Sequence, residues 1–116
     1  MDEIRPFSLF DACQEPLWYE RFETLLERPG IRIERILSKG QITPENQWYD
    51  QHEDEWVVLL KGRARLTIEG NAEPISLGPG DGVFLPAHCR HRVEWTDPDD
   101  ISLWLAVHLS SEGNTS

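Results

Sequence analysis

The sequence predicts a small all-β domain, a sandwich or barrel, preceded by one short helix. Three observations carry this. After Gly40 the apolar residues fall into short runs of strand length. Turn residues cut those runs at regular intervals: Gly62, Gly70-Asn71, Gly78-Pro79-Gly80-Asp81 and Asp97-Pro98-Asp99-Asp100. The chain has 116 residues, enough to bury roughly two thirds of its unfolded surface in one core, with no room for a second domain.

Residues 1–30 form an N-terminal extension. From Pro16 to Arg28 the apolar residues Leu17, Trp18, Phe22, Leu25 and Leu26 recur at spacings of three, four and seven, which predicts an amphipathic helix over about 16–28 that Pro29-Gly30 stops. Its expected role is packing, as a lid on the sheet or a dimer contact. The barrel spans 31–109. Its strands are expected over Ile31 to about Lys39, then Glu55–Lys61, Ala64–Glu69, Pro74–Leu77, Gly82–Leu85, His91–Thr96 and Ile101–Leu109. Strands so spaced, with almost no helix between them, suit antiparallel pairing. The tail, 110–116, is polar and expected to be disordered.

Charge and composition exclude several function classes. The formal net charge is −10, from 11 basic and 21 acidic residues; such a field repels phosphate backbones and anionic lipid, so nucleic acid is not an expected partner. The longest uncharged apolar runs, Trp56–Leu60 and Ile101–Leu109, fall well short of the roughly 20 residues a membrane helix needs. The start Met1-Asp2-Glu3-Ile4-Arg5 lacks the basic-then-apolar order of a secretory signal, so a cytoplasmic location is expected. Cys13 and Cys89 lie far apart with no pair motif and are expected to be free thiols. No pair of carboxylates sits in a sequence context that would bury it, and Gly78-Pro79-Gly80 precedes a strand, so it lacks the helix N-terminus that binds phosphate.

Two blocks stand out. The first, Trp48 to Gly62, has Glu55 followed after six residues by Gly62; in the second, Gly80 to His91, Gly80 is followed after five residues by Pro86, and His91 stands five positions beyond that proline. Together they resemble the two signature motifs of the cupin family, over about Ile31 to His108. The resemblance implies a double-stranded β-helix, a jelly-roll barrel with both motifs in one open mouth. The local chemistry agrees: the Gly78–Asp81 segment suits a tight reversal, and Pro86 cannot donate to a sheet ladder, which frees Ala87–Arg90 as a loop.

In metal-binding cupins two first-motif histidines, the glutamate and the second-motif histidine hold a divalent transition metal such as iron, manganese, nickel or zinc. His91 and Glu55 match two of those positions, while the histidine positions fall on Tyr49 and Gln51 in one register and on Trp48 and Asp50 in the other. A third ligand is therefore expected from Asp50, Gln51 or His52, with Asp50 favoured for its charge. Strand alternation places Glu55 with Val57 and Leu59, and His108 with Trp104 and Ala106. Trp48, Tyr49, Trp95, His88 and His108 are the other candidates to line a pocket. The expected function is a stand-alone cupin that acts on a small organic molecule through a metal; a metal-free module binding a small ligand stands beside it. A homodimer is expected, because small jelly rolls expose edges and apolar faces.

Overall fold

The computed structural model describes residues 3–110. Eight strands follow a 3-10 turn at Leu9–Ala12: β1 Arg21–Arg28, β2 Ile31–Ser38, β3 Asp54–Lys61, β4 Ala64–Ile68, β5 Ile75–Leu77, β6 Gly82–Leu85, β7 His91–Thr96 and β8 Ser102–Leu109. They form two facing sheets, one of five strands in the order β1-β2-β8-β3-β6 and one of three in the order β5-β4-β7. Every pairing is antiparallel. Among the described residues no helix is long and apolar enough to cross a membrane.

The helix expected over 16–28 is absent. Residues 21–28 are strand β1, paired along its length with β2, and Arg28 faces Ile31 across Pro29-Gly30. That dipeptide is thus the turn of a hairpin: proline presets φ, and Gly30 takes φ +84°. The helical spacing of Phe22, Leu25 and Leu26 arises from an irregularity in the pairing between Thr24 and Leu26, which breaks the strand's two-residue alternation. The tail residues 111–116 lie outside the described residues.

Between the sheets, alternate residues of facing strands make the core: Val57, Leu59, Ala64, Leu66, Leu77, Leu85, Trp104 and Ala106. A second cluster lies on the outer face of the five-stranded sheet, where the N-terminal residues Leu9, Ala12, Cys13 and Leu17 pack on Leu37, Ile101 and Leu103. The packing expected of a helix over 16–28 is done instead by Leu9, Ala12, Cys13 and Leu17, most of them ahead of that segment and none of them in an α-helix. Cys13 and Cys89 are half-buried free thiols in separate clusters.

Glycines close the turns. Gly62 (φ +91°) joins β3 to β4, and a Cβ there would lie 2.3 Å from Ser102 Oγ, so both conformation and close approach demand glycine. The connection from β2 to β3 lies along β7: the Thr43 amide donates to the Val93 carbonyl, and Thr43 Oγ1 accepts from the Val93 amide. This run carries the first motif to the open end of the barrel.

Candidate functional site

One row of the five-stranded sheet builds the floor of the site. Arg32 on β2 pairs with His108 on β8, His108 with Glu55 on β3, and Glu55 with Leu85 on β6. Direct partners in antiparallel strands share a face, so all four side chains point between the sheets. From the opposite sheet β7 supplies His91 and Val93. With Glu20, Phe22, Glu34, Ile36, Tyr49, Gln51, Val57, Leu66 and Trp104 they enclose a cavity of about 140 Å³. Its lining sets the buried Glu55, His91 and His108 among apolar side chains such as Val57, Leu66 and Leu85. Trp104 is fixed there by its Nε1–H, which donates to Ser38 Oγ at 3.0 Å.

His91 is held on two sides. Its amide donates to the Tyr49 carbonyl (3.1 Å), its carbonyl accepts from the Tyr49 amide (2.8 Å), and the two rings stack at 5.5 Å. Ring Nδ1 lies 2.9 Å from the Cys89 carbonyl. A carbonyl can only accept, so Nδ1 carries the hydrogen, and in the neutral form of the ring Nε2 is a bare acceptor. That Nε2 faces Glu55 Oε1 at 3.8 Å, and Glu55 Oε1 is buried with no donor. With the ring neutral, two acceptors confront each other across a gap.

Glu55 is 8 % exposed. Burial pushes its carboxyl above the ordinary range, against the lowering by the nearby His108 and His91. The sequence offers no buried carboxylate pair, yet the fold buries Glu55 and largely buries Glu34 and Glu53. Glu34 Oε1 accepts from His108 Nε2 at 2.7 Å, and His108 Nδ1, buried without a partner, stands 3.9 Å from Glu53 Oε1. Arg32 grips Glu53 with both terminal nitrogens, at 3.1 and 3.2 Å.

Of the candidates named from sequence, Glu55, His91, His108, Tyr49 and Gln51 line the cavity. Asp50, His52, His88, Trp48 and Trp95 do not. Asp50 points outward and accepts from His88 Nδ1 at 2.9 Å, both side chains being exposed. Alternation through the bridged segment puts Tyr49 and Gln51 on the inner side and sends Trp48 outward, where Arg90 lies 5.6 Å over its ring. His52 is exposed and lines a separate groove beside the Pro29-Gly30 turn. Trp95 is turned out by an irregularity in the pairing of β4 with β7: Leu66 faces Val93 while Arg65 faces Trp95, which leaves Glu94 unmatched and reverses the face. Glu34, Arg32 and Glu20 escaped the sequence analysis. Arg32 and Glu34 alternate with Ile31 and Ile33, and the apolar set looks like the inner one.

The transition metal that the cupin resemblance implies does not fit this donor set. Tyr49 and Gln51 stand where the family's first-motif histidines would be. Burial, with Glu20 nearby, pushes the Tyr49 phenol up, so it stays protonated and does not supply a phenolate. Gln51 offers only a neutral amide oxygen, and the favoured Asp50 is paired elsewhere. Among the described residues no three His, Cys, Asp or Glu side chains group to hold an ion. Of the four motif positions one imidazole and one carboxylate remain, His91 and Glu55, fewer than the three strong ligands such sites keep.

The comparisons with known proteins bear on the family. A family model described as "Cupin domain" matches residues 34–108. A crystal structure from Ralstonia eutropha, described as a "putative mannose-6-phosphate isomerase", is 45% identical over 92% of this chain and 99% of that one, with a TM-score of 0.89. A cupin superfamily protein from Desulfitobacterium hafniense (19% identity, 95% and 94% coverage, TM-score 0.74) and a cupin from Methanocaldococcus jannaschii described as a double-stranded β-helix (19%, 98% and 94%, 0.70) share the fold. No curated protein matches the chain. The matched model over most of the barrel, the identity to the Ralstonia protein, and the two facing sheets with their shared mouth establish that the chain belongs to the cupin family.

Proposed function

We propose that this cupin is a small-molecule-binding protein whose barrel mouth works without a resident transition metal. The observation that carries this is the confrontation of Glu55 Oε1 and His91 Nε2 over 3.8 Å, with tyrosine and glutamine in the remaining motif positions. That leaves a half-apolar cavity with unpaired polar atoms on its wall, the usual form of a ligand site. Elemental analysis of untagged protein, before and after incubation with iron, manganese, nickel and zinc salts followed by gel filtration, tests it. Metal well below one ion per chain supports the proposal; a retained stoichiometric ion overturns it.

The description of the Ralstonia relative suggests a phosphorylated sugar as a competing ligand. The lining opposes this. Its one guanidinium, Arg32, is already paired with Glu53, while Glu20, Glu34 and Glu55 present carboxyl groups. A phosphate would meet repulsion with no free cation to offset it.

A homodimer belongs to the same proposal. On the outer face of the five-stranded sheet, Phe84, Trp56, Val107, Ile33 and Leu26 are successive direct partners, one apolar row across all five strands. Phe84, Trp56 and Leu26 are 55%, 47% and 39% exposed. A second copy is the occupant that a flat, uncharged row suits in a chain of charge −10, because two-fold pairing matches like with like and keeps the acidic surfaces outside the contact.

A further inference from the structure

We propose that the cavity takes a small organic amine in its protonated form, with the ammonium head between Glu55 and His91 and the apolar body against Phe22 and Trp104. This rests on the metal-free binding function proposed above and names the class of its ligand. The Cys89 carbonyl commits a hydrogen of His91 to Nδ1, so in the neutral ring Nε2 accepts. Glu55 Oε1 accepts as well, is buried, and has no donor. Gln51 Oε1, on the same cavity wall, is a second buried acceptor without one. Buried acceptors left unpaired are costly. A single atom with several hydrogens answers them together, and an ammonium carries three. An alcohol brings one.

The charge around the gap agrees. Glu20, Glu34 and Glu55 line the cavity from the segment before β1, from β2 and from β3. The facing basic groups are engaged: Arg32 with Glu53, and His108 with Glu34. A cation entering therefore finds an excess of carboxylate in a site of reduced dielectric, where a charge-assisted hydrogen bond is about twice as strong as a neutral one. Burial holds the Glu55 carboxyl above its ordinary range by stripping it of water, and a bound ammonium supplies the charge stabilisation that the lost water gave. Behind the polar groups Ile36, Leu66, Leu85 and Trp104 provide an apolar wall.

Three isosteric probes separate the possibilities: benzylamine, benzyl alcohol and benzoate, titrated calorimetrically into the full-length protein at about pH 8, below the alkylammonium range. Benzylamine is expected to bind at one per chain, roughly 10-fold or more tighter than benzyl alcohol, with benzoate the weakest. Glu55→Gln keeps the shape and removes the charge; with its fold verified by circular dichroism, it should weaken benzylamine about 10-fold and leave benzyl alcohol within about 2-fold. Alcohol or benzoate binding as tightly as the amine, or an unchanged amine affinity in Glu55→Gln, overturns the amine proposal while the binding function stands. If none of the three binds, both fall.

Discussion

Tyr49 and His91 hold each other twice, through a pair of backbone hydrogen bonds of 2.8 and 3.1 Å and through rings stacked at 5.5 Å and 24°. This contact joins the first motif, on a long connection, to the second, on β7. It explains how a chain lacking the family's first-motif histidines still fixes His91 at the mouth. Tyrosine occupies one of the vacated positions and braces the remaining imidazole from the side.

Tyr49→Ala should therefore loosen the mouth and lower stability by about 1–2 kcal/mol, while Tyr49→Phe, which keeps the stack, should cost less than about half of that. Urea unfolding midpoints at equal slope measure both. Equal losses would show that the phenol oxygen, and not the ring, matters.

Two glycines with nearly the same φ separate conformational strain from steric contact. Gly62 (φ +91°) would bring a Cβ to 2.3 Å from Ser102 Oγ and 2.7 Å from its Cα, whereas Gly70 (φ +93°) has nothing within 4 Å. Gly70→Ala should cost about 1–2 kcal/mol, the left-handed penalty alone. Gly62→Ala should cost clearly more, or prevent folding. Thermal melts of the pair decide it, and equal costs would refute the close approach.

Glu55 makes a pH prediction whose sign is set by burial. Its folded carboxyl titrates above the ordinary glutamate range, so between the unfolded value and the folded one the native state holds more protons than the unfolded state. Its contribution to stability is then present below the unfolded value and is lost as pH rises through the folded one. Glu55→Gln should accordingly be more stable than the parent at pH 7 to 8, with the difference shrinking toward pH 4. Denaturation across that range checks it; a difference that grows on acidification would show a carboxylate stabilised by its histidines.

The outer apolar row predicts an interface. Trp56→Glu together with Phe84→Glu should convert a dimer to a monomer in sedimentation equilibrium without altering the far-ultraviolet spectrum. A parent protein that is monomeric at tens of micromolar would remove the dimer from the account.

Much of the barrel was legible because β-strand alternation and turn chemistry are local. Glu55 grouped with Val57 and Leu59, and His108 with Trp104 and Ala106, as their burial bears out. The motif spacing brought His91 to the same mouth as Glu55. What failed depended on partners distant in sequence. Residues 21–28 have a helical spacing, but pairing with β2 across Pro29-Gly30 decides their conformation. Trp95 needed the unmatched Glu94 to be known before its face could be assigned. Asp50 was favoured on charge, though only the bridge of Tyr49 to His91 shows which of the two registers faces inward. Arg32 and Glu34 were hidden by an inversion: at the mouth the barrel is polar inside, and Ile33, Val107 and Trp56 form an apolar row outside.

The central claim is that the mouth binds its ligand through Glu55 and His91 with no metal between them. Calorimetric titration of benzylamine into untagged protein, once after exhaustive dialysis against EDTA and once with added zinc, tests it most directly. One-site binding of undiminished affinity is expected in the chelated protein, and weaker binding with zinc, if zinc has any effect. Binding that vanishes on chelation and returns with zinc would contradict it.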